Sequence, residues 1–375
     1  MAKLAIIVSH PIQYYAPLFA TMSKELDLKV FYGFQPNAQQ QGAAGFGKAF
    51  KWDVDLLSGY VYEFLDNRAK APSSAYYKGC DTPAIGERIR NYGASHVVTF
   101  GWHLKMYRQA LHYCKKNKIP IAVRGDSQLN PQLPLWKKVI KKLYYPSFLR
   151  KYDAFLSVGK RNRDYLKHFG VPDQRIIFSP HAVDQVFWKN DGIKRAESSF
   201  TFIWVGKFIG LKRPMDVIQA FKELSAKIQS IKLLMIGTGV LYEGCISKAS
   251  DASNISFLGF KNQIELKKYY TETDCLILSS DSETWGLVVN EGFAAGIPAI
   301  VSEACGCGPD LINEWTGVSY KTGDVHELEK AMYFLYNRLD SPDERAKIVE
   351  AIKCKNEVYS YNTIIKSFKI FLSQF

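Results

Sequence analysis

Twice along this chain a series of short apolar runs alternates with helix-length stretches, and an unpatterned polar stretch parts the two series. In the first series Leu4 to Val8, Leu28 to Tyr32, His96 to Phe100, Ile119 to Val123, Ala154 to Val158 and Ile176 to Phe178 read as buried strands. Lys105 to Asn117 and Lys160 to Phe169 read as helices between them. The second series has Phe200 to Val205, Lys232 to Ile236, Ile255 to Leu258, Asp274 to Leu278 and Ala299 to Val301 as strands, with Pro214 to Ile228, Gln263 to Thr271 and Val288 to Ala295 as helices. Apolar runs alternating with helices predict mainly parallel sheets covered on both faces. The expected fold class is α/β, with Rossmann-like domains over 1–190 and 199–357 and the linker-like stretch Lys189 to Ser199 between them. A chain of 375 residues suits two domains of ordinary size. A last helix, Asn362 to Gln374 within a segment of about 358–375, has either domain to pack on. Two such domains facing one another would form a cleft at the carboxyl ends of their sheets, where ligands bind.

Composition narrows the class. Hydrophobic residues make up 47% and charged residues 23%, which predicts a sizeable core rather than disorder. No apolar run reaches the roughly 18 residues that span a bilayer. The apolar part of Met1 to His10 is short for a signal peptide and reads as a first buried strand. Seven cysteines, an odd number, point to a reducing compartment. Cys305 and Cys307 stand one residue apart with no second pair or His cluster, so they read as packing residues and no metal site is expected. Net charge is +13 and uneven: between Trp136 and His168 ten Lys/Arg face two Asp, a local excess of +8. Such a patch implies an anionic partner.

The motifs follow the strands of the second series. Val205-Gly206-Lys207-Phe208-Ile209-Gly210-Leu211-Lys212 follows its first strand, where Lys207 and Lys212 suit a pyrophosphate and Gly206 lets the backbone approach it. Ile236-Gly237-Thr238-Gly239 follows the second strand. It fails as a dinucleotide fingerprint, because Tyr242 stands where the third glycine belongs and the strand is not the first of its domain. Leu258-Gly259-Phe260 follows the third. After the fourth comes Ser282-Glu283-Thr284-Trp285-Gly286-Leu287-Val288-Val289-Asn290-Glu291, with seven residues between the two carboxylates. One Glu lies before a helix and one inside it, at an N-terminus that favours an anionic ligand. Two carboxylates flanking such a site suit a ligand that is anionic in the middle and hydroxylated at both ends, as a nucleotide-sugar is. Taken alone, each motif also reads blandly: a capping Glu with a solvated one, and a solvated basic loop.

Taken in order, these motifs resemble the retaining glycosyltransferases of the GT-B fold, glycosyltransferase family four (glycosyl transferases group 1). Glu303 to Ile312 and Arg175 to Asp184 are similar to that family too. The resemblance covers nearly the whole chain and is strongest from Phe200 to Thr322. It implies that Lys207 and Lys212 contact the donor diphosphate, Lys207 standing where the family has Arg and so lacking its planar fork. It implies that Glu283 holds the donor sugar, Glu291 the ribose, and that Thr284, Trp285, Gly286, Leu287 and Val288 lie along sugar and phosphates. Gly237 and Gly239 form the ligand-side turn, and Phe260 faces the base. The expected partners are a UDP- or GDP-sugar donor and a glycan or lipid-linked acceptor, in surface polysaccharide or glycoconjugate assembly. No cofactor or metal is expected, the cations and helix dipole taking the metal's place, and the resemblance implies retention of configuration.

On the first domain, Ser9-His10-Pro11-Ile12-Gln13-Tyr14-Tyr15 follows the first strand and resembles a subset of the family. His10 and Gln13, with Trp102 and His103, are the acceptor-side candidates. Asp126, in Arg124-Gly125-Asp126-Ser127, is a candidate to orient the acceptor or shape the reacting centre, with a cap or turn role as the alternative. Trp136 to Pro146 patterns as a basic amphipathic helix with Trp136, Ile140 and Leu143/Tyr144 on one side. The segment 136–151 thus suits an anionic membrane surface, or else an ordinary helix packed on its own domain. Nucleic acid is not expected, for no nucleic-acid fold accompanies the charge. The expected location is cytoplasmic, peripheral on the inner face of the plasma membrane. Alternatives from other classes are a non-catalytic sugar- or lipid-binding paralogue and a nucleotide-sugar epimerase. Gln35 to Gly47, rich in Gly, Gln and Ala, reads as a mobile loop near the cleft.

Overall fold

The computed structural model describes residues 2–43, 50–190 and 199–375. It divides into two compact units. The first comprises Met1–Pro36, Asp55–His181 and Tyr361–Phe375; the second comprises Asn37–Val54 and Ala182–Ser360.

The first unit is built on a parallel sheet of seven strands: β1 (Lys3–Val8), β2 (Asp27–Tyr32), β3 (Val61–Phe64), β4 (His96–Phe100), β5 (Ile121–Gly125), β6 (Ala154–Ser157) and β7 (Ile176–Phe178). Their order is β3-β2-β1-β4-β5-β6-β7. The central strands are apolar on both faces because helices cover both, and Leu4 to Ile7 are fully buried. The last helix, Tyr361–Gln374, belongs to this unit: His96 meets Phe371 edge-on at 5.4 Å, and Lys369 pairs with Glu25 at 2.6 Å.

The second unit has a parallel sheet of six strands: β8 (Phe200–Val205), β9 (Ile231–Ile236), β10 (Ile255–Phe257), β11 (Cys275–Leu278), β12 (Ala299–Ser302) and β13 (Gly317–Tyr320). Their order is β10-β9-β8-β11-β12-β13. Phe202, Trp204, Phe208 and Phe221 fill its core.

In both sheets the first strand lies between a strand pairing on one side and a later strand on the other: β1 between β2 and β4, β8 between β9 and β11. This is the point at which the winding of an open parallel sheet reverses. The loops leaving the carboxyl ends of its strands there diverge and leave a crevice. Residues 9–15 leave β1 and residues 206–213 leave β8, so both motif-bearing loops start at such a point.

Several elements differ from the sequence expectation. β5 begins two residues late, after Pro120, and runs on through Arg124 and Gly125. Arg124 is therefore a buried strand residue rather than a loop residue. β3 and β13 escape the pattern because neither is a continuous buried run: β3 has no buried position, and β13 is buried only at its two ends. Helix Ala38–Ala43 stands in the stretch read as a loop. A reciprocal cap explains it: Gln40 N donates to Asn37 Oδ1 at 2.8 Å, and Asn37 N donates to Gln40 Oε1 at 2.9 Å. Residues 44–49 of that stretch, and 191–198 of the linker-like one, lie outside the described residues.

Candidate active site

In the second unit, Lys207 and Lys212 stand in the loop after β8, and Glu283 in the loop after β11, the neighbouring strand. The Lys212 ammonium donates to Glu283 Oε2, and both side chains are mostly buried. Three further bonds hold this loop in place. Ser279 Oγ donates to Lys212 O at 2.7 Å, Trp204 Nε1 donates to Ser279 Oγ at 3.0 Å, and Asp281 N donates to Leu211 O at 2.8 Å. Arg213, in a left-handed backbone conformation at φ 49°, bridges Asp216 at 2.6 Å and Asp281 at 3.0 Å. Lys207 is half-buried. Desolvation first, and the Lys212 charge second, lower its pKa from the ordinary lysine value, while Glu283 opposes the shift. A diphosphate between these two ammonium groups would relieve both effects.

The glycine turn after β9 packs on the same loop. Gly237 has φ +136°, and a Cβ there would overlap the carbonyl oxygen of Gly206. Phe208 N donates to Thr238 O at 2.9 Å and Leu241 N to Phe208 O at 2.8 Å. Close backbone packing therefore already accounts for Gly237 and Gly239. Beside them, Gly237 N donates to Gly259 O at 2.9 Å, which ties in the turn before Phe260. Phe260 meets Phe50 at 4.6 Å between ring centres, Asn262 Nδ2 donates to Lys51 O at 2.8 Å, and Ile264 N donates to Asp53 Oδ2 at 3.0 Å. Residues 50–53 thus border the turn that carries Phe260, a neighbour no sequence pattern announced.

Gly286 caps helix Leu287–Ala294 at φ +105°, where a Cβ would meet Leu278 at 2.5 Å. This glycine sets the sharp turn from the Glu283 loop into the helix. Thr284 is exposed, and Leu287 and Val288 are half-exposed at the helix start. Trp285 turns inward instead: its indole is buried, Nε1 donates to Asn290 Oδ1 at 2.7 Å, and the ring lies 5.9 Å from Tyr359. Its side chain is thus committed to the core. Glu291 accepts from Tyr270 OH at 3.0 Å, and burial raises its pKa from 4.5 to about 7 despite that bond. The turn at Cys305 and Cys307 buttresses the Glu283 loop, with Gly306 N donating to Glu283 O and Cys307 N to Trp285 O, both at 2.9 Å.

In the first unit, His10 Nδ1 lies 2.9 Å from Ser9 Oγ, its ring sits 5.2 Å from Phe34, and burial lowers its pKa to about 4. It is a neutral imidazole at physiological pH. Gln13 is half-exposed on the same loop. Arg124, buried at the end of β5, donates to Tyr15 OH at 3.1 Å and to Pro180 O at 2.7 Å. Asp126 is 44% exposed, and its Oδ2 lies 3.9 Å from Nε2 of the buried His181. Burial lowers the His181 pKa and the Asp126 carboxylate works against that shift. Tyr14 stands edge-on to His181 at 6.3 Å. His181 was not singled out in the sequence; its only signal is its place one residue after Pro180 in the run that ends at Asp184. Trp102 departs from the acceptor-side expectation. Its indole is in the core, stacked on Tyr165 at 6.3 Å. His103 is exposed and its Nε2 lies 3.1 Å from Ser74 O.

Residues 187–354 match the family Glycosyl transferases group 1. Relatives include the N-acetyl-alpha-D-glucosaminyl L-malate synthase of Bacillus anthracis, 27% identical over 214 residues covering 55% of this chain and 54% of that one. A sulfoquinovosyl transferase of Arabidopsis thaliana is 29% identical over 164 residues, covering 42% of this chain and 30% of that one. The chain thus spans about half the length, or less, of these curated relatives. Among solved structures, a glycosyltransferase from Rickettsia africae aligns with a TM-score of 0.75 at 14% identity, over 99% of this chain and 97% of that one. Anabaena Alr3699/HepE in complex with UDP aligns with a TM-score of 0.74 at 12% identity, over the whole of both chains. The fold is that of the GT-B glycosyltransferases.

Proposed function

We propose that this protein is a retaining, metal-independent glycosyltransferase that moves a sugar from a UDP- or GDP-sugar to a glycan or lipid-linked acceptor in surface polysaccharide or glycoconjugate assembly. The observation that carries the reading is the convergence of Lys207, Lys212 and Glu283 at the strand-order reversal of the second sheet. It falls within the group 1 match, with Glu291 in the helix that follows. The bond that breaks joins the anomeric carbon to the β-phosphate oxygen. Charge developing on that oxygen is stabilised by the two ammonium groups and by the free N–H groups at the start of helix Leu287–Ala294. Glu283 takes a donor-sugar hydroxyl and Glu291 the ribose hydroxyls. The acceptor hydroxyl attacks the face the diphosphate leaves, and its proton passes to the departing phosphate oxygen. Asp126, backed by His181, orients that hydroxyl, and His10 and Gln13 line the acceptor side.

The surrounding surface supports a membrane-bound acceptor. Among the described residues no helix is long and apolar enough to cross a membrane. Helix Leu135–Leu149 nevertheless exposes Trp136 by 61% and Leu143 by 77%. This exposure supports the reading that 136–151 lies on the surface of an anionic membrane. All seven cysteines are free, in keeping with the cytoplasmic side. The test is turnover across a panel of UDP- and GDP-sugars with and without EDTA, with the product anomer read by NMR. Transfer with retention in EDTA supports the reading; an inverted product, or activity lost to EDTA and restored by a divalent ion, contradicts it.

A further inference from the structure

On the flank of helix Leu135–Leu149, a groove of about 660 Å³ opens between it and helix Lys105–Lys116. Arg108, His112 and Lys115 line it from one helix, Tyr144 and Phe148 from the other, and Lys151 from just beyond. Arg108 is held in place: Nε donates to Trp102 O and Nη1 to Tyr144 OH, both at 2.8 Å, and the guanidinium carbon lies 3.5 Å from the centre of the Phe148 ring. Lys115 is neutralised by Asp153 at 2.9 Å. Lys151 and His112 are exposed and, among the described residues, have no ion pair. No carboxylate is among the residues that line the groove. A rigid guanidinium, a lysine and an imidazole over aromatic rings make a receptor for a phosphate monoanion or diester.

The same helix carries the exposed apolar row Leu135, Trp136, Val139, Ile140 and Leu143. A soluble phosphate gains nothing from that row. A phospholipid gains from both features, with its phosphate in the groove and its acyl region against the row. We propose that this groove is a specific site for the head-group phosphate of an anionic phospholipid, seated beside the helix that enters the bilayer surface. The proposal rests on the membrane-surface reading above and adds to it a localised, saturable site, where that reading needs only diffuse positive charge.

The test uses the full chain. Sedimentation with vesicles of phosphatidylcholine and phosphatidylglycerol in equal parts, or of phosphatidylcholine alone, measures membrane binding. The His112 ring resonances, titrated with dihexanoyl phosphatidylglycerol below its micelle concentration or with inorganic phosphate, report the groove. Lys151→Glu lowers partition onto the mixed vesicles by about tenfold, more than Lys142→Glu on the same helix outside the groove, and abolishes the His112 response to the short-chain lipid. The double variant Trp136→Ala, Leu143→Ala loses the vesicles and keeps that response. Equal losses for Lys151→Glu and Lys142→Glu, with the vesicles still bound by the wild type, overturn the site and leave the membrane reading standing. A His112 response to inorganic phosphate as strong as to the lipid overturns the lipid assignment. Failure of the wild type to bind either vesicle removes both.

Discussion

Each unit places a carboxylate and a basic side chain together beyond the carboxyl ends of its strands, and the two pairs are built differently. Lys212 and Glu283 are in direct contact, and the loop that carries Lys212 is fixed by Ser279, Trp204, Asp281 and Arg213. Asp126 and His181 are 3.9 Å apart, the first open to solvent and the second buried among Tyr14 and the Arg124 cluster. The first pair is rigid and charged, as suits an invariant diphosphate. The second is a buried imidazole, its protonated form disfavoured by burial, behind a carboxylate that has room to adjust, as suits hydroxyls of varied geometry. Under the proposed function, the difference means a donor side held by electrostatics and braced backbone, and an acceptor side with a single adjustable oxygen.

The comparison breaks most visibly at Lys212. Lys212→Ala removes a cation from the developing phosphate charge and should lower kcat/KM by about 100- to 1000-fold, measured by donor turnover. If it costs no more than Asp126→Asn, the two sides are not built differently. Gly237→Ala tests the braced backbone. Its Cβ has no room against Gly206 O, and its φ of +136° is strained for alanine. We expect a loss of about 3 kcal/mol in denaturant unfolding of the second unit. Glu291→Gln sharpens the electrostatic side. The wild-type carboxyl, raised from 4.5 to about 7, holds its proton more tightly folded than unfolded, so its contribution to stability is complete below pH 4.5 and lost as pH rises through 7. The variant should lack that loss and be more stable than the wild type at pH 8 by about 1–3 kcal/mol, while binding the nucleotide more weakly. Asp126→Asn, the smallest effect, should lower kcat about tenfold with the affinity for UDP unchanged, since its proposed role is on the acceptor alone.

The sequence was most legible where a physical constraint is local. Apolar runs such as Leu4 to Ile7 and Leu276 to Leu278 declare buried parallel strands because both faces are covered. Glu283, Glu291 and the two lysines are legible through their spacing after successive strands, which parallel topology brings to one end of the sheet. Contacts between distant segments leave no such mark. Nothing near His181 announces Asp126, fifty-five residues earlier, and nothing near Phe260 announces Phe50. Trp102 was misread for a related reason: an aromatic residue just after a strand points to solvent or to the core depending on what packs behind it, and here Tyr165 does. The helix over 38–43 was missed because its signal is a cap, Asn37 with Gln40, in a stretch whose composition resembles a loop.

The central claim is that the second unit grips a nucleotide diphosphate through Lys207, Lys212 and Glu291. Calorimetric titration of UDP and GDP in EDTA tests it most directly, with wild type, Lys212→Ala and Glu291→Gln side by side. We predict saturable binding of one nucleotide by the wild type, weakened about tenfold or more in each variant. Nucleotide binding that both variants leave unchanged would contradict the account.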